Sequence, residues 1–392
     1  MAKKKKNKPV MSVTMKTTTT TMADAIEKLP PYLPTEVIFN ILINVPVQAL
    51  LDAKHVCKQW YDIVSDPLFV KAHCQKSSLG FLIQDSNNYS HVNYIDVNMP
   101  IEKTKTIKVQ NPSQATILCS LNGLVLLSYK KYGFRDIILH VVNPMTTEKI
   151  SLPPLDVYWR GPKSAGLAVN SSSHYKVVHV SVDNYGCYYR EQLQIRIFTI
   201  GVDKAWRLID LQAIPNSSTM YQHILIHPYC CRRYIYWFHY YSSFHLALDV
   251  DTETIYQFTR PNYEVKINDV NDDSRVEVVS METSIGVIDE TSTLLKVWKL
   301  TDVKSNKWTE FARINVEPVY KRFSKLFGRR FKDGIYPLGL FDGDFWFYCW
   351  VGNSKYVVVR KNLANERFEF FEIKRGTLHP HASTFHVVVR KN

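Results

Sequence analysis

The chain of 392 residues contains no run of 18 or more apolar residues, so no membrane-spanning helix is expected. No apolar core follows the opening Met-Ala-Lys-Lys-Lys-Lys-Asn-Lys, which therefore does not read as a secretory signal. The expected setting is intracellular, in nucleus or cytoplasm. The seven cysteines (57, 74, 119, 187, 230, 231, 349) include no Cys-x-x-Cys pair, the usual source of zinc-binding thiolates. They read as reduced, buried small hydrophobes, with no metal or cofactor implied. Also missing are a Gly-x-x-x-x-Gly-Lys-Ser/Thr phosphate loop, a Gly-x-Ser-x-Gly nucleophile elbow and a His-Glu-x-x-His helix. His223 and His227 lie four apart, but Pro228 and a strand-like setting argue against a metal-binding helix. The expectation is a chain without catalytic chemistry of its own.

Acidic residues are absent from residues 1–16, which hold six lysines. The formal charge of +13 falls to +7 once those six are set aside, so overall charge is weak evidence for nucleic-acid binding. A homopolymer run at Thr17–Thr21 follows. Residues 1–25 are expected to be a disordered basic and threonine-rich tail, with nuclear import as an alternative use of the lysines.

What remains is globular in composition, 45% apolar and 13% aromatic. Seven of the eight tryptophans lie beyond residue 150, which favours a β-rich body because flat side chains pack well on pleated surfaces.

Residues 26–76 carry a helical pattern. Val37, Ile41 and Val45 form one i, i+4 row and Ile38 and Leu42 the row beside it. Pro34 and Glu36 suit a helix start, and Pro46 separates a first helix from a second. Val47, Leu50 and Leu51 continue the apolar surface, then Val56, Trp60, Ile63 and Val64, with Asp66-Pro67 closing a third helix. Three short helices are too small a module to cover their own stripes, so part of each stripe is expected to dock on another protein. A cap packed on the downstream domain is the alternative.

The ordered elements Leu33-Pro34, Ile41-Leu42, Pro46-Val47, Leu50-Leu51, Val56-Cys57-Lys58-Gln59-Trp60 and Ser65-Asp66-Pro67-Leu68-Phe69 resemble the F-box of plant F-box proteins. The resemblance implies binding to a Skp-type adaptor and, through it, to a cullin and a RING protein. It assigns Leu33, Pro34, Ile41, Leu42, Pro46, Val47, Leu50, Leu51, Val56 and Trp60 to forming or supporting the adaptor face. Asp52 departs from the basic residue usual after the Leu-Leu pair, and Lys54 keeps the positive charge at the next such position. Against an acidic adaptor, Asp52 is expected to slow association more than it lowers affinity.

Residues 77–392 switch to short apolar runs and alternation. Residues 79–83, 123–127, 137–142, 175–180 and 234–238 read as buried strands, with no long amphipathic helix among them. A unit of strand, polar turn and second strand recurs near Asn143, Asp203, Asp249, Asp302 and Asn362, about 50–60 residues apart. That period suits blades of four strands, around six of them, in a β-propeller; paired β-sandwiches are the alternative. Ser120-Leu121-Asn122-Gly123-Leu124, Asn143-Pro144, Leu152-Pro153-Pro154, Trp206, Asp249 and Trp298 resemble the kelch-like F-box-associated domain, although a double-glycine kelch signature is lacking.

The fold expected is thus a small all-α F-box followed by a large all-β domain. The function the resemblance implies is a non-catalytic substrate-recognition subunit of an SCF-type ubiquitin ligase with an unidentified protein target. The alternatives are a basic nucleic-acid-associated protein, or an adaptor-bound protein acting outside a cullin ligase. Residues 320–332 hold six cations (Lys321, Arg322, Lys325, Arg329, Arg330, Lys332), no acid and three phenylalanines, and are the candidate target contact. The plainer reading is a solvated inter-blade loop. Tyr158-Trp159-Arg160 and Tyr229-Cys-Cys-Arg232-Arg233 are weaker candidates.

Overall fold

The computed structural model describes residues 33–76, 79–85, 92–96, 105–107, 115–130, 136–146, 148–156, 165–183, 192–210, 228–238, 244–261, 276–281, 283–291, 293–327, 335–341, 343–350, 355–365, 367–374 and 377–382. The basic tail expected at 1–25 lies outside them.

Among the described residues the first module has four helices rather than three: α1 (Thr35–Leu42), α2 (Val47–Ala53), α3 (Lys58–Ser65) and α4 (Pro67–Lys76). Asp66-Pro67 does close α3, but it also opens α4. Proline costs no hydrogen bond in a first turn, and the Asp66 carboxylate accepts the Leu68 N–H at 2.7 Å. The helices pack around Ile38, Leu42, Leu50, Val64 and Phe69.

The remaining chain forms six sheets among the described residues. Blade 1 contains β1 (Leu79–Gln84), β2 (Val92–Asp96) and β3 (Lys105–Ile107). Blade 2 holds β4 (Thr116–Leu121), β5 (Leu124–Lys130), β6 (Asp136–Val142) and β7 (Lys149–Ser151), with β8 (Leu155–Asp156) also paired to β6. Blade 3 holds β9 (Ala165–Val169), β10 (Tyr175–Asp183), β11 (Gln192–Thr199) and β12 (Arg207–Leu208). Blade 4 holds β13 (Pro228–Cys231), β14 (Tyr234–Trp237), β15 (His245–Asp249) and β16 (Thr254–Phe258). Blade 5 holds β17 (Val276–Ser280), β18 (Ile285–Thr291), β19 (Leu294–Asp302) and β20 (Lys307–Asn315). The helix α5 (Glu317–Phe327) precedes blade 6, made of β21 (Tyr336–Phe341), β22 (Asp344–Trp350), β23 (Lys355–Asn362) and β24 (Phe368–Lys374). Finally β25 (Thr377–Ala382) returns to pair antiparallel with β1, with Leu82 opposite His379, and completes blade 1. The first strands β25, β4, β9, β13, β17 and β21 each contact the next, and β21 contacts β25, so the ring is closed. This is a six-bladed propeller, not paired sandwiches.

Strand alternation explains the continuous apolar runs. On β5, Leu124 and Leu126 face blade 3 while Val125 and Leu127 face blade 1, so both faces are buried. An apolar cluster fills each junction, from Leu82 with Val125 between blades 1 and 2 round to Phe81 with Trp346 between blades 6 and 1. At blade 5 to blade 6 the wedge is closed by α5, which buries Val319 and Phe323. The expectation of no amphipathic helix in the body is corrected here. Val319 and Phe323 lie four apart on one face, and Asn315 Oδ1 accepts the Glu317 N–H at 2.9 Å at the helix start.

The five recurring turns are the hairpins between the third and fourth strands of blades 2 to 6. In four of them the acidic or amide side chain accepts backbone N–H groups two or three residues on: Asn143 from Met145, Asp249 from Asp251, Asp302 from Lys304 and Asn362 from Ala364. That local bond makes the polar turn self-specifying. Because strands alternate in direction, turns joining first to second and third to fourth strands all leave at one end of the ring. Second-to-third turns and blade-to-blade links leave at the other.

Candidate functional site

The helical module rests on the first of these ends. Met145, presented by the Asn143 turn of blade 2, is buried in the same cluster as Leu42, Leu50 and Phe69. Glu148 on that hairpin lies near enough to Lys54 to favour its charged form, against the stronger lowering effect of burial. The propeller thus supplies a side chain to the helical core.

On the side away from Met145's cluster, an apolar row is left open. Leu33, Val37 and Ile41 recur at i, i+4 and all three are exposed, Ile41 by 51%. Val56 is 62% exposed, and Tyr61 and Leu68 are also exposed. Six large apolar side chains are thus exposed on one small module, three of them in one row. Of the residues assigned to the adaptor face, Leu33, Pro34, Ile41, Pro46 and Val56 are exposed, and Leu51 and Trp60 are half-buried. Leu42, Val47 and Leu50 are buried, Leu50 completely. Of the two apolar pairs, Ile41 is exposed and Leu51 half-buried, while Leu42 and Leu50 are covered. What covers them is the module's own helices with Met145, because α4 adds a fourth wall that the three-helix reading lacked. Val37, Tyr61 and Leu68, outside the set assigned to the adaptor face, are also exposed, and Val37 lies in the same four-residue row as Ile41. Asp52 is exposed at the end of α2, and Lys54 Nζ sits 5.9 Å from the Tyr61 ring centroid.

The basic segment is a helix over 320–327, not a loop. Lys321, Arg322, Ser324 and Lys325 face solvent while Phe323 is buried. Lys321 pairs with Glu317 at 2.8 Å, and the Arg322 guanidinium lies 3.9 Å from the Phe370 ring centroid. Arg329, Arg330 and Lys332 lie outside the described residues, as do Tyr158-Trp159-Arg160. Arg233 is engaged within its own blade by Asp249 and by Asp251 at 3.0 Å, which removes it as a free anion contact.

Between blades 3 and 4 the buried Lys176 donates to the Val250 carbonyl at 2.7 Å and to Glu253 at 2.8 Å. Arg207 forms two further 2.8 Å bonds to Glu253. The Arg207 guanidinium, with Lys176 beside it, holds Glu253 down at about 2 against the upward pull of burial. Two tryptophans act as blade hooks. Trp206 Nε1–H donates to the Pro153 carbonyl of blade 2, and Trp308 Nε1–H to the Thr259 carbonyl of blade 4, each at 2.9 Å. Lys176, Arg207 and Glu253 together join blades 3 and 4. Among the described residues, no group of three or more His, Cys, Asp or Glu is placed to hold a metal, and no helix is long and apolar enough to cross a membrane.

Comparison with known proteins places this architecture. The model of the "F-box associated beta propeller domain" matches residues 67–329, and an "F-box-like" model matches residues 31–76. The Arabidopsis thaliana "Putative F-box protein At3g17490" is 24% identical over 73% of this chain and 75% of its own length. The Arabidopsis "F-box protein At5g49610" is 22% identical over 88% of this chain and 93% of its own. A "Putative F-box/kelch-repeat protein At3g17540" of the same plant is 27% identical over 45% of this chain and 46% of its own. Among solved structures, TolB from Acinetobacter baumannii matches at TM-score 0.43 and 7% identity, over 78% of this chain and 66% of that chain. With four helices opening onto a six-bladed ring, and both parts matched in order, the chain belongs to the plant F-box proteins that carry an F-box-associated β-propeller.

Proposed function

We propose that this chain is the substrate-recognition subunit of an SCF-type ubiquitin ligase. The helical module docks on a Skp-type adaptor, which links to a cullin and a RING protein, and the propeller holds a protein target. The chain supplies no reacting group. It raises the effective concentration of target lysines near a ubiquitin-charged enzyme. The observation that carries this reading is the open row Leu33, Val37 and Ile41, together with the exposed Val56, Tyr61 and Leu68, on one small helical module. The exposed cations Lys321, Arg322 and Lys325 of α5 are a candidate contact for an acidic group of the target.

The test is copurification with a plant Skp-type adaptor. The wild-type chain is expected to form a stoichiometric complex. Ile41→Asp and Val56→Asp should each abolish it while leaving the helical signal and unfolding temperature unchanged, since both side chains already face water. Leu50→Ala should instead unfold the module, at a cost of about 2–5 kcal/mol. No complex with the wild type, or a complex that ignores both surface changes, overturns the reading.

A further inference from the structure

Blade 6 carries an aromatic shelf at the end of the ring opposite the helical module. The register pairs Tyr336 of β21 with Tyr348 of β22, and Trp350 of β22 with Tyr356 of β23. Tyr348 and Trp350 are two residues apart, so all four side chains leave the same face of the blade. The Tyr336 and Tyr348 rings stack with centroids 5.0 Å apart, and Tyr348 and Tyr356 lie 5.0 Å apart at 53°. Lower on this face blade 1 seals the sheet, with Phe81 set edge-on to Trp346. At the shelf that cover ends: Trp350 is 42% exposed and the three tyrosines are only half-buried.

A carboxylate stands beside the shelf. Glu277 stands on β17 in line with Val279 and Met281, on the side of blade 5 that packs on blade 6, and near enough for its charge to act on Tyr348. Burial above all, then the neighbouring phenols and Glu277, push Tyr348 up to about 12. Aromatic faces present negative quadrupole density, and a carboxylate adds a full charge. Both attract cations, in a chain whose formal charge is +13.

We propose that Tyr336, Tyr348, Trp350 and Tyr356, with Glu277, form a binding site for an alkylammonium side chain, a lysine with or without methyl groups, on an extended segment of the bound protein. The aromatic faces take the alkyl stem and ammonium head, and Glu277 balances the charge. This names the chemistry of the target surface within the receptor reading. Peptide binding is measured without adaptor, so failure of the shelf and failure of adaptor docking are read separately.

The test uses the purified full chain and three fluorescein-labelled Gly-Ser peptides, each with one central residue: trimethyl-lysine, lysine or norleucine. The norleucine peptide matches the stem without the charge. Fluorescence anisotropy should show the two cationic peptides binding at least fivefold more tightly than the norleucine peptide. Trp350→Ala and Glu277→Gln should each erase that preference, with the unfolding temperature unchanged because Trp350 is open to solvent and Glu277→Gln is isosteric. Lys321→Ala with Lys325→Ala on α5 should leave it intact. Equal binding of all three peptides, no binding, or a cation preference that survives both shelf variants overturns the proposal.

Discussion

Met145 of blade 2 is buried in the same apolar cluster as Leu50 of α2, although the two are 95 positions apart in the sequence. The helical module is therefore completed by the propeller rather than tethered to it. Replacing Met145 with Asp should raise amide hydrogen exchange across α1 to α4, by about 2–4 kcal/mol of local stability, while amides of blades 4 to 6 keep their protection. Met145→Leu should cost less than about 1.5 kcal/mol, since it conserves volume. Unchanged exchange in the helices of the Asp variant would show that the contact is incidental.

The seam between blades 3 and 4 should respond to acid. Glu253 is held near 2 in the fold against an ordinary value of 4.5, so its contribution is present above 4.5 and is lost as pH falls towards 2. Glu253→Gln should lower stability at pH 7 by about 1–2 kcal/mol, a figure reduced from that of fully buried pairs because Glu253 is partly exposed. Urea midpoints of variant and wild type should converge as pH falls from about 4.5 to about 2. A constant gap over that range would mean that the carboxylate charge is not what matters.

Two buried histidines should set an earlier acid limit. Burial holds His179 at about 3 and His140 at about 4, against an ordinary 6.5. Both are neutral in the fold, while the unfolded chain takes up protons below 6.5. Stability should thus be greatest above 6.5 and fall with pH, by at most about 1.4 kcal/mol per pH unit for each histidine. His179→Phe, which keeps a ring near Trp206, should flatten the slope between pH 6 and 4 by about one histidine's share. The pH dependence of the urea midpoint measures this directly, and an unaltered slope would contradict the assigned burial.

Ring closure should be all-or-none. Truncation before Thr377 removes β25 and leaves the β1 row from Leu79 to Gln84 as an open edge. The truncated chain should lose its single cooperative unfolding step and associate on size-exclusion chromatography. Retention of one sharp transition at the wild-type midpoint would show that blades 1 and 6 do not depend on the shared strand.

Much of this was legible locally. The polar turns at Asn143, Asp249, Asp302 and Asn362 encode their own geometry, because one side chain satisfies the backbone beside it. Asn122-Gly123, both at positive φ, likewise announces the tight hairpin of blade 2. Helical spacing over 35–64 revealed two apolar rows on α1. Which row faces inward was not legible, since Val37–Ile41 and Ile38–Leu42 are equally apolar. Helix α5 was hidden for a related reason: its charges read as a solvated strip, and only the wedge between blades 5 and 6 gives Val319 and Phe323 something to cover.

Order along the chain thus determined most element types, the repeat length and the break between helical and β parts, because each follows from contacts within a few residues. Tertiary structure alone decided that Leu50 is sealed while Ile41 stays open, that Met145 belongs to a helical core, and that four aromatic side chains of blade 6 meet at one rim. Those outcomes depend on residues tens to hundreds of positions apart brought together by ring closure, and no local pattern carries that information.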